Sequence, residues 1–220
     1  MVTKIGILQF PGSNCDGDCE AALHLFDGVD PSFVWHQESD LSSYDGIVIP
    51  GGFSYGDYLR SGAMAANSPV MKSLKEFAKS KPVFGICNGF QILTESGLLP
   101  GALLRNANQK FMCKWVTLQS QKSSLPLQSL GLGDLSMPVA NGEGRYYIDA
   151  SGLANLKENG QIMFQYSEDV NGSVDNIAGV TNEKGNILGM MPHPERASVT
   201  NIHGGNDGYQ LWQSFINMCR

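Results

Sequence analysis

The segment Gly85-Ile86-Cys87-Asn88-Gly89 sets a thiol between two glycines at the spacing Gly-x-nucleophile-x-Gly. In hydrolases of the serine type this spacing marks a nucleophile elbow, a sharp turn between strand and helix that projects the reactive side chain. The context agrees: the apolar run Pro82-Val83-Phe84-Gly85-Ile86 leads in, and Phe90-Gln91-Ile92-Leu93-Thr94-Glu95, helical in character, leads out. Such a turn puts the sulfur at the amino end of a helix, where backbone N–H groups favour the thiolate of a group whose free pKa is ~8.5. The flanking glycines let neighbouring backbone pass close to the turn. The pentapeptide alone also fits a buried cysteine at a glycine-flanked strand end.

A nucleophilic cysteine needs a base, and the chain has four histidines. His24 falls in a helical stretch among apolar residues and reads as packed there. His36 ends a short strand and reads as a surface residue, and His203 falls in a loop, Ile202-His203-Gly204-Gly205. His193 differs. It follows an apolar strand in Met191-Pro192-His193-Pro194-Glu195-Arg196, and two prolines stiffen its backbone. Glu195 is two residues on and is suited to accept a hydrogen bond from the second ring nitrogen, orienting the imidazole and stabilising its charged form. Attack on a carbonyl makes an oxyanion, which needs preorganised donors. The N–H of Asn88 is one, and the loop Gly51-Gly52-Phe53-Ser54-Tyr55-Gly56 at another strand end offers a second at Gly52 or Phe53. That Gly-Gly pair lacks either nucleotide-binding glycine pattern. Asp57 and Arg60 in the same loop read as a local ion pair or as loop supports.

Positioning these groups requires strands that end together. Lys4–Phe10, Phe33–His36, Gly46–Pro50 and Val83–Ile86 read as strands, and Asp16–Phe26, Met64–Lys79 and Asn88–Gly97 as helices. Alternating strand and helix implies a parallel sheet with helices on both faces, and ligands sit beyond the carboxyl ends of such strands. After Gly101 the character changes. Phe111–Gln121, Val139–Ile148, Gln161–Tyr166, Ile177–Thr181 and Ile187–Met191 read as further strands, with a hairpin connection at Asn182–Asn186. Residues 120–133 read as a surface loop and Asp207–Met218 as a closing helix. The fold class is therefore α/β: a mostly parallel central sheet flanked by helices, with additional antiparallel strands in the second half. At 220 residues one domain, 1–220, is expected.

Five cysteines with no CxxC pair argue against a disulfide framework and a structural zinc site; Cys15 and Cys19 read as packing residues. A formal net charge of −6 without a Lys/Arg cluster argues against nucleic acid as a partner. No apolar run approaches the roughly 20 residues of a membrane span, and no secretory leader is visible, so a cytoplasmic location is expected.

The Cys87 segment through Gln91, taken with Pro192-His193-Pro194-Glu195, resembles the class I (triad) glutamine amidotransferases. Three further stretches narrow this: Gly51-Gly52-Phe53-Ser54-Tyr55-Gly56-Asp57-Tyr58-Leu59-Arg60, Asn141-Gly142-Glu143-Gly144-Arg145-Tyr146 and Gly189–Arg196. They are similar to the glutaminase subunits of phosphoribosylformylglycinamidine synthase. The resemblance implies a flavodoxin-like amidotransferase fold and a catalytic triad of Cys87, His193 and Glu195. It implies an oxyanion hole from Gly52 or Phe53 with Asn88, and a glutamine contact at Gln91. No metal is implied in this chain. It also implies delivery of ammonia to a separate synthetase subunit that uses ATP and magnesium, and the presence of a small accessory subunit. The family commonly has Cys at the position of Ser61 and His at that of Asn141, so arguments about subunit contacts or gating do not carry over there. Two other readings stay open. One is a glutaminase serving another acceptor synthetase. The other is a cysteine hydrolase of the intracellular-protease type, although those place His directly after the Cys and here Asn88 follows.

Overall fold

Strands without a polar face must be covered on both sides. The central strands of this protein meet that condition. The computed structural model describes residues 2–121, 126, 132–199, 202 and 204–220. Its first strands are β1 (Thr3–Gln9), β2 (Val29–Trp35), β3 (Gly46–Ile49) and β4 (Val83–Ile86), and β3 and β4 are buried at every position. They alternate with helices α1 (Asp16–Leu23), α2 (Pro69–Phe77) and α3 (Asn88–Glu95). There follow β5 (Ala102–Leu104), β6 (Met112–Ser120), β7 (Leu135–Asn141), β8 (Arg145–Tyr147), α4 (Ala150–Glu158), β9 (Ile162–Tyr166), β10 (Ile177–Thr181), β11 (Ile187–Met190) and α5 (Asp207–Cys219).

One nine-stranded sheet has the order β2-β1-β3-β4-β11-β10-β9-β6-β7. Pairing is parallel from β2 to β11 and antiparallel from β11 to β7, so the second half of the chain extends the first sheet. A separate antiparallel pair joins β5 to β8. Side chains alternate between the two faces of a strand. Phe84 on β4 meets Trp212 and Phe215 of α5, while its neighbour Gly85 faces α3, where a Cβ would overlap Leu93. Helices α3 and α5 therefore cover opposite faces. No helix among the described residues is long and apolar enough to cross a membrane.

Several elements differ from expectation. The helix expected over Met64–Lys79 is a 3-10 turn at Ala65–Asn67, then extended Ser68, then α2 starting on Pro69. The Pro69 ring keeps the preceding residue out of helical backbone but suits the first position of a new helix. The strand expected over Val139–Ile148 is two strands in two sheets, β7 and β8, broken at Gly142–Gly144. The second strand begins at Val29, not Phe33; it carries Pro31, which an edge strand tolerates. Helix α4 is not visible in the apolar pattern because it buries only Leu156. Its local signal is Asp149, whose side chain accepts the Gly152 N–H at 2.7 Å as an N-cap. Helix α1 stops at Leu23, leaving His24 exposed at its C-cap rather than packed. Most of the loop expected at 120–133, and His203, lie outside the described residues.

Helix α3 meets β3 at Gly89, where a Cβ would overlap Ile49 O and lie 3.0 Å from Ile49 Cβ. Gly89→Ala should therefore cost about 1–3 kcal/mol of unfolding free energy, read from urea denaturation. An unchanged midpoint would contradict this packing.

Candidate active site

Cys87 stands at the carboxyl end of β4 with φ 51° and ψ −104°, outside the backbone regions that L-residues favour. Such a conformation costs on the order of 1–3 kcal/mol and persists only where surrounding structure enforces it. Here the enforcement is visible. The Cys87 N–H donates to Met190 O on β11 at 2.7 Å, and Cys87 O accepts the Gln91 N–H at 3.1 Å to open α3. The turn leaves Sγ facing Ala140 O of β7 at 3.7 Å, with the residue 6% exposed.

His193 leaves the carboxyl end of β11, the strand next to β4, and its N–H donates to Pro138 O of β7 at 2.9 Å. The 3-10 turn Pro194–Ala197 then folds Glu195 back beneath the ring, and Nδ1 and Oε1 stand 2.5 Å apart, with each residue only 2% exposed. The other nitrogen, Nε2, is buried with no hydrogen-bond partner among the described residues. Gly51 sits under the junction: a Cβ there would lie 2.9 Å from His193 Cε1 and 3.4 Å from Cys87 Cβ. The geometry thus brings together Cys87, His193 and Glu195, although more than a hundred residues separate the first from the other two. Burial alone would push the imidazole down. The Glu195 carboxylate, with Cys87 and Cys15 adding to it, outweighs that and holds His193 well above its usual titration range.

The loop after β3 is clamped by the turn after β1. Asn14 and Cys15 donate their N–H groups to Gly51 O at 3.4 and 3.3 Å, Phe53 N–H donates to Gly12 O at 3.0 Å, and Tyr55 N–H donates to Pro11 O at 2.5 Å. Gly52 takes φ 143°, and a Cβ there would lie 2.8 Å from Asn14 N. Of the three groups expected at an oxyanion hole, the Phe53 N–H is already spent on Gly12, while those of Gly52 and Asn88 carry no such bond among the described residues.

Cys15, expected as a packing residue, is buried but also bonded. Its sulfur accepts a hydrogen bond from Arg196 Nη2 at 3.2 Å, and Arg196 Nε donates to Asp18 at 3.1 Å. Burial pushes the Cys15 thiol up, against an opposing contact with His193. Cys15, His193 and Glu195 offer possible metal-ligand atoms within 4.8 Å of one another. A cation there would compete with the His193–Glu195 bond. The sequence hint is the neighbouring Pro11-Gly12-Ser13-Asn14, which reads only as a turn. Cys19 is fully buried, as expected of packing.

Cys87 opens onto a cavity of about 280 Å³ whose walls include Gly52, Gln91, Asn141 and Glu143. Gln91 lies in that wall with its amide engaged: Nε2 donates to Glu143 O at 2.7 Å, and Oε1 accepts from Asn88 Nδ2 at 2.9 Å. Asn88 Oδ1 in turn accepts the Ser54 N–H at 3.2 Å, tying α3 to the loop after β3. Arg60 does not pair with Asp57. It makes a two-pronged ion pair with Glu95 at the end of α3, both bonds 2.6 Å. His36 is buried against Phe10 rather than at the surface, and its Nδ1 lies 3.0 Å from Tyr55 Oη.

The fold and the Cys-His-Glu geometry define a class. The chain belongs to the CobB/CobQ-like glutamine amidotransferase domain family, whose model matches residues 2–215. It is 43% identical to a chain of the PurLQS structure from Thermotoga maritima, with all of both chains covered and a TM-score of 0.90. Two more distant structures share the fold. A putative GMP synthase component from Thermoplasma acidophilum is 16% identical over 100% of this chain and 94% of the other, with TM-score 0.71. A glutamine amidotransferase from Thermotoga maritima is 14% identical over 100% and 99%, with TM-score 0.69.

The His193–Glu195 pair makes a signed prediction. A histidine raised on folding stabilises the protein fully below its unfolded pKa of ~6.5, and that stability is lost as pH rises through the folded value. Glu195→Gln removes the raising charge and leaves the burial that depresses the ring. The stability deficit of this variant against the parent should be largest below that ordinary value and shrink as pH rises. Urea midpoints across the range measure it, and a deficit that grows with pH would contradict the pairing.

Proposed function

We propose that this chain is the glutaminase subunit of phosphoribosylformylglycinamidine synthase, acting as one amidotransferase domain over residues 1–220. The observation that carries the reading is the convergence of Cys87, His193 and Glu195 at one cavity, in a chain that a PurLQS chain matches end to end.

Cys87 is the nucleophile. Its thiolate attacks the side-chain carbonyl carbon of L-glutamine, and the electron pair of the C=O bond moves to oxygen. The N–H groups of Gly52 and Asn88 hold that oxyanion, because donors fixed in a buried site stabilise charge without reorganising. His193 receives the cysteine proton on Nε2 and returns it to the departing nitrogen, so ammonia leaves and a γ-glutamyl thioester forms. Glu195 holds the ring by Nδ1 and balances its charge while protonated. Water, activated by the same imidazole, then hydrolyses the thioester, giving glutamate and the free thiol. Gln91 shapes the cavity wall through its bonds to Asn88 and Glu143.

The ammonia passes to a synthetase subunit, which holds the ATP and magnesium and forms formylglycinamidine ribonucleotide; a small accessory subunit completes the assembly. This chain itself carries no cofactor, and the complex works in the cytoplasm. Asn88, following Cys87 where intracellular proteases of related architecture carry His, favours this reading over a cysteine hydrolase.

Cys87→Ala in the reconstituted complex should abolish glutamine-dependent synthesis and leave synthesis from free ammonia at or near the parent rate. Equal loss of both would sink the assignment.

A further inference from the structure

The loop that carries the Gly52 N–H is fastened by a side chain that the triad chemistry does not use. Tyr55 takes φ 53°, ψ 29°, a left-handed conformation that a non-glycine residue holds only under constraint. Its ring is half-buried against the core. Its Oη lies 3.0 Å from Nδ1 of His36 and 3.0 Å from Oγ of Ser68. His36 follows β2 and Ser68 precedes α2, so one hydroxyl joins the loop after β3 to two other elements.

Both partners are themselves firmly held. His36 is buried, its ring packs on Phe10 and Trp35, and its N–H donates to Gln9 O at 2.9 Å. Ser68 is buried at the N-cap position of α2, where a serine hydroxyl ordinarily accepts an N–H of the first turn. Among the described residues it makes no such bond. The helix starts on Pro69, which has no N–H to satisfy. The Val70 N–H donates to His36 O at 3.1 Å and the Met71 N–H to Ser68 O at 3.0 Å. Backbone carbonyls thus cap the helix, and Ser68 Oγ is left for Tyr55.

The oxyanion loop needs such an anchor on this side. The bonds that reach Gly51 O from Asn14 and Cys15 are long, at 3.4 and 3.3 Å, so the residue before Gly52 is loosely tied. The shorter backbone bonds come after Gly52, from the Phe53 N–H to Gly12 O at 3.0 Å and from the Tyr55 N–H to Pro11 O at 2.5 Å. Between them, the Ser54 N–H donates to Asn88 Oδ1, beside the nucleophile, at 3.2 Å.

We propose that Tyr55, seated between His36 and Ser68, is a positioning residue for the oxyanion hole. By fixing the loop it sets the angle at which the Gly52 N–H meets the substrate oxygen. This rests on the glutaminase reading. A ground-state carbonyl asks little of that donor and an oxyanion asks much more. Loss of the anchor therefore falls on the chemical step and not on glutamine binding.

The test uses the reconstituted complex and L-glutamine. Acid-quenched single turnovers read γ-glutamyl thioester formation on Cys87, giving a maximal rate and a half-saturating glutamine concentration. Alkylation of Cys87 by iodoacetamide is the control, because the sulfur displaces iodide at a saturated carbon and no oxyanion forms. Tyr55→Phe removes only Oη and should lower the maximal rate about five- to tenfold, the worth of one hydrogen bond. Half-saturating glutamine and the iodoacetamide rate should stay within about twofold of the parent, less than that one bond accounts for. Ser68→Ala should also lower the maximal rate, and adding it to Tyr55→Phe should slow the reaction no further, since both cut one link. A maximal rate in Tyr55→Phe indistinguishable from the parent overturns the assignment and leaves the glutaminase reading intact. A loss shared equally by the maximal rate, half-saturation and the iodoacetamide rate, the mark of a merely loosened site, overturns it too. A parent complex that forms no thioester while iodoacetamide still labels Cys87 overturns the glutaminase reading and this inference with it.

Discussion

The positive-φ backbone of Cys87 is the constraint on which the site depends. A cysteine gains nothing intrinsically from φ 51°, ψ −104°. It is held there because its N–H is bonded to β11, its carbonyl opens α3, and Gly89 brings that helix onto Ile49 of β3 with no room for a side chain. Three neighbouring strands thus combine to aim one sulfur. Relaxing the turn would drop Sγ back toward the sheet and lose both the helix amino terminus behind it and the imidazole beside it.

Around that turn, two loops are held in place by their own hydrogen bonds. The Pro11–Cys15 turn clamps Gly51–Tyr55 by backbone bonds, so the Gly52 N–H is fixed before any ligand arrives. The Pro194–Ala197 turn does the same for Glu195 under His193. Donors and charges held in this way would not have to reorient in the proposed reaction. The antiparallel strands contribute too: β7 holds His193 by Pro138 O and faces Cys87 with Ala140 O, so the extension of the sheet closes the site from the far side.

The features legible in the sequence are those whose cause is local. Gly85 and Gly89 flanking Cys87 forecast the elbow, and the prolines around His193 with Glu195 two residues on forecast the pair. The unbroken apolar runs of β3, β4 and β11 forecast a parallel core. The features not legible are set by distant partners. Arg60 pairs with Glu95 rather than Asp57, and Cys15 meets Arg196, a residue 181 positions away. The Phe53 N–H is taken by Gly12, which no spacing within the Gly-Gly loop reveals. Helix α4 escapes because a single buried leucine makes no periodic face, and the break between β7 and β8 because both flanks keep strand character across Gly142–Gly144.

Everything in the proposed chemistry passes through covalent attachment of glutamine to Cys87. The most direct measurement is to mix the protein, in its assembled complex, with L-glutamine, quench in acid to preserve thioesters, and map the modified peptide by mass spectrometry. A γ-glutamyl adduct is expected on the peptide containing Cys87, absent from Cys87→Ala and discharged by a neutral chase. Glutamate released with no adduct at Cys87, or an adduct on Cys15 or Cys113 instead, would contradict it.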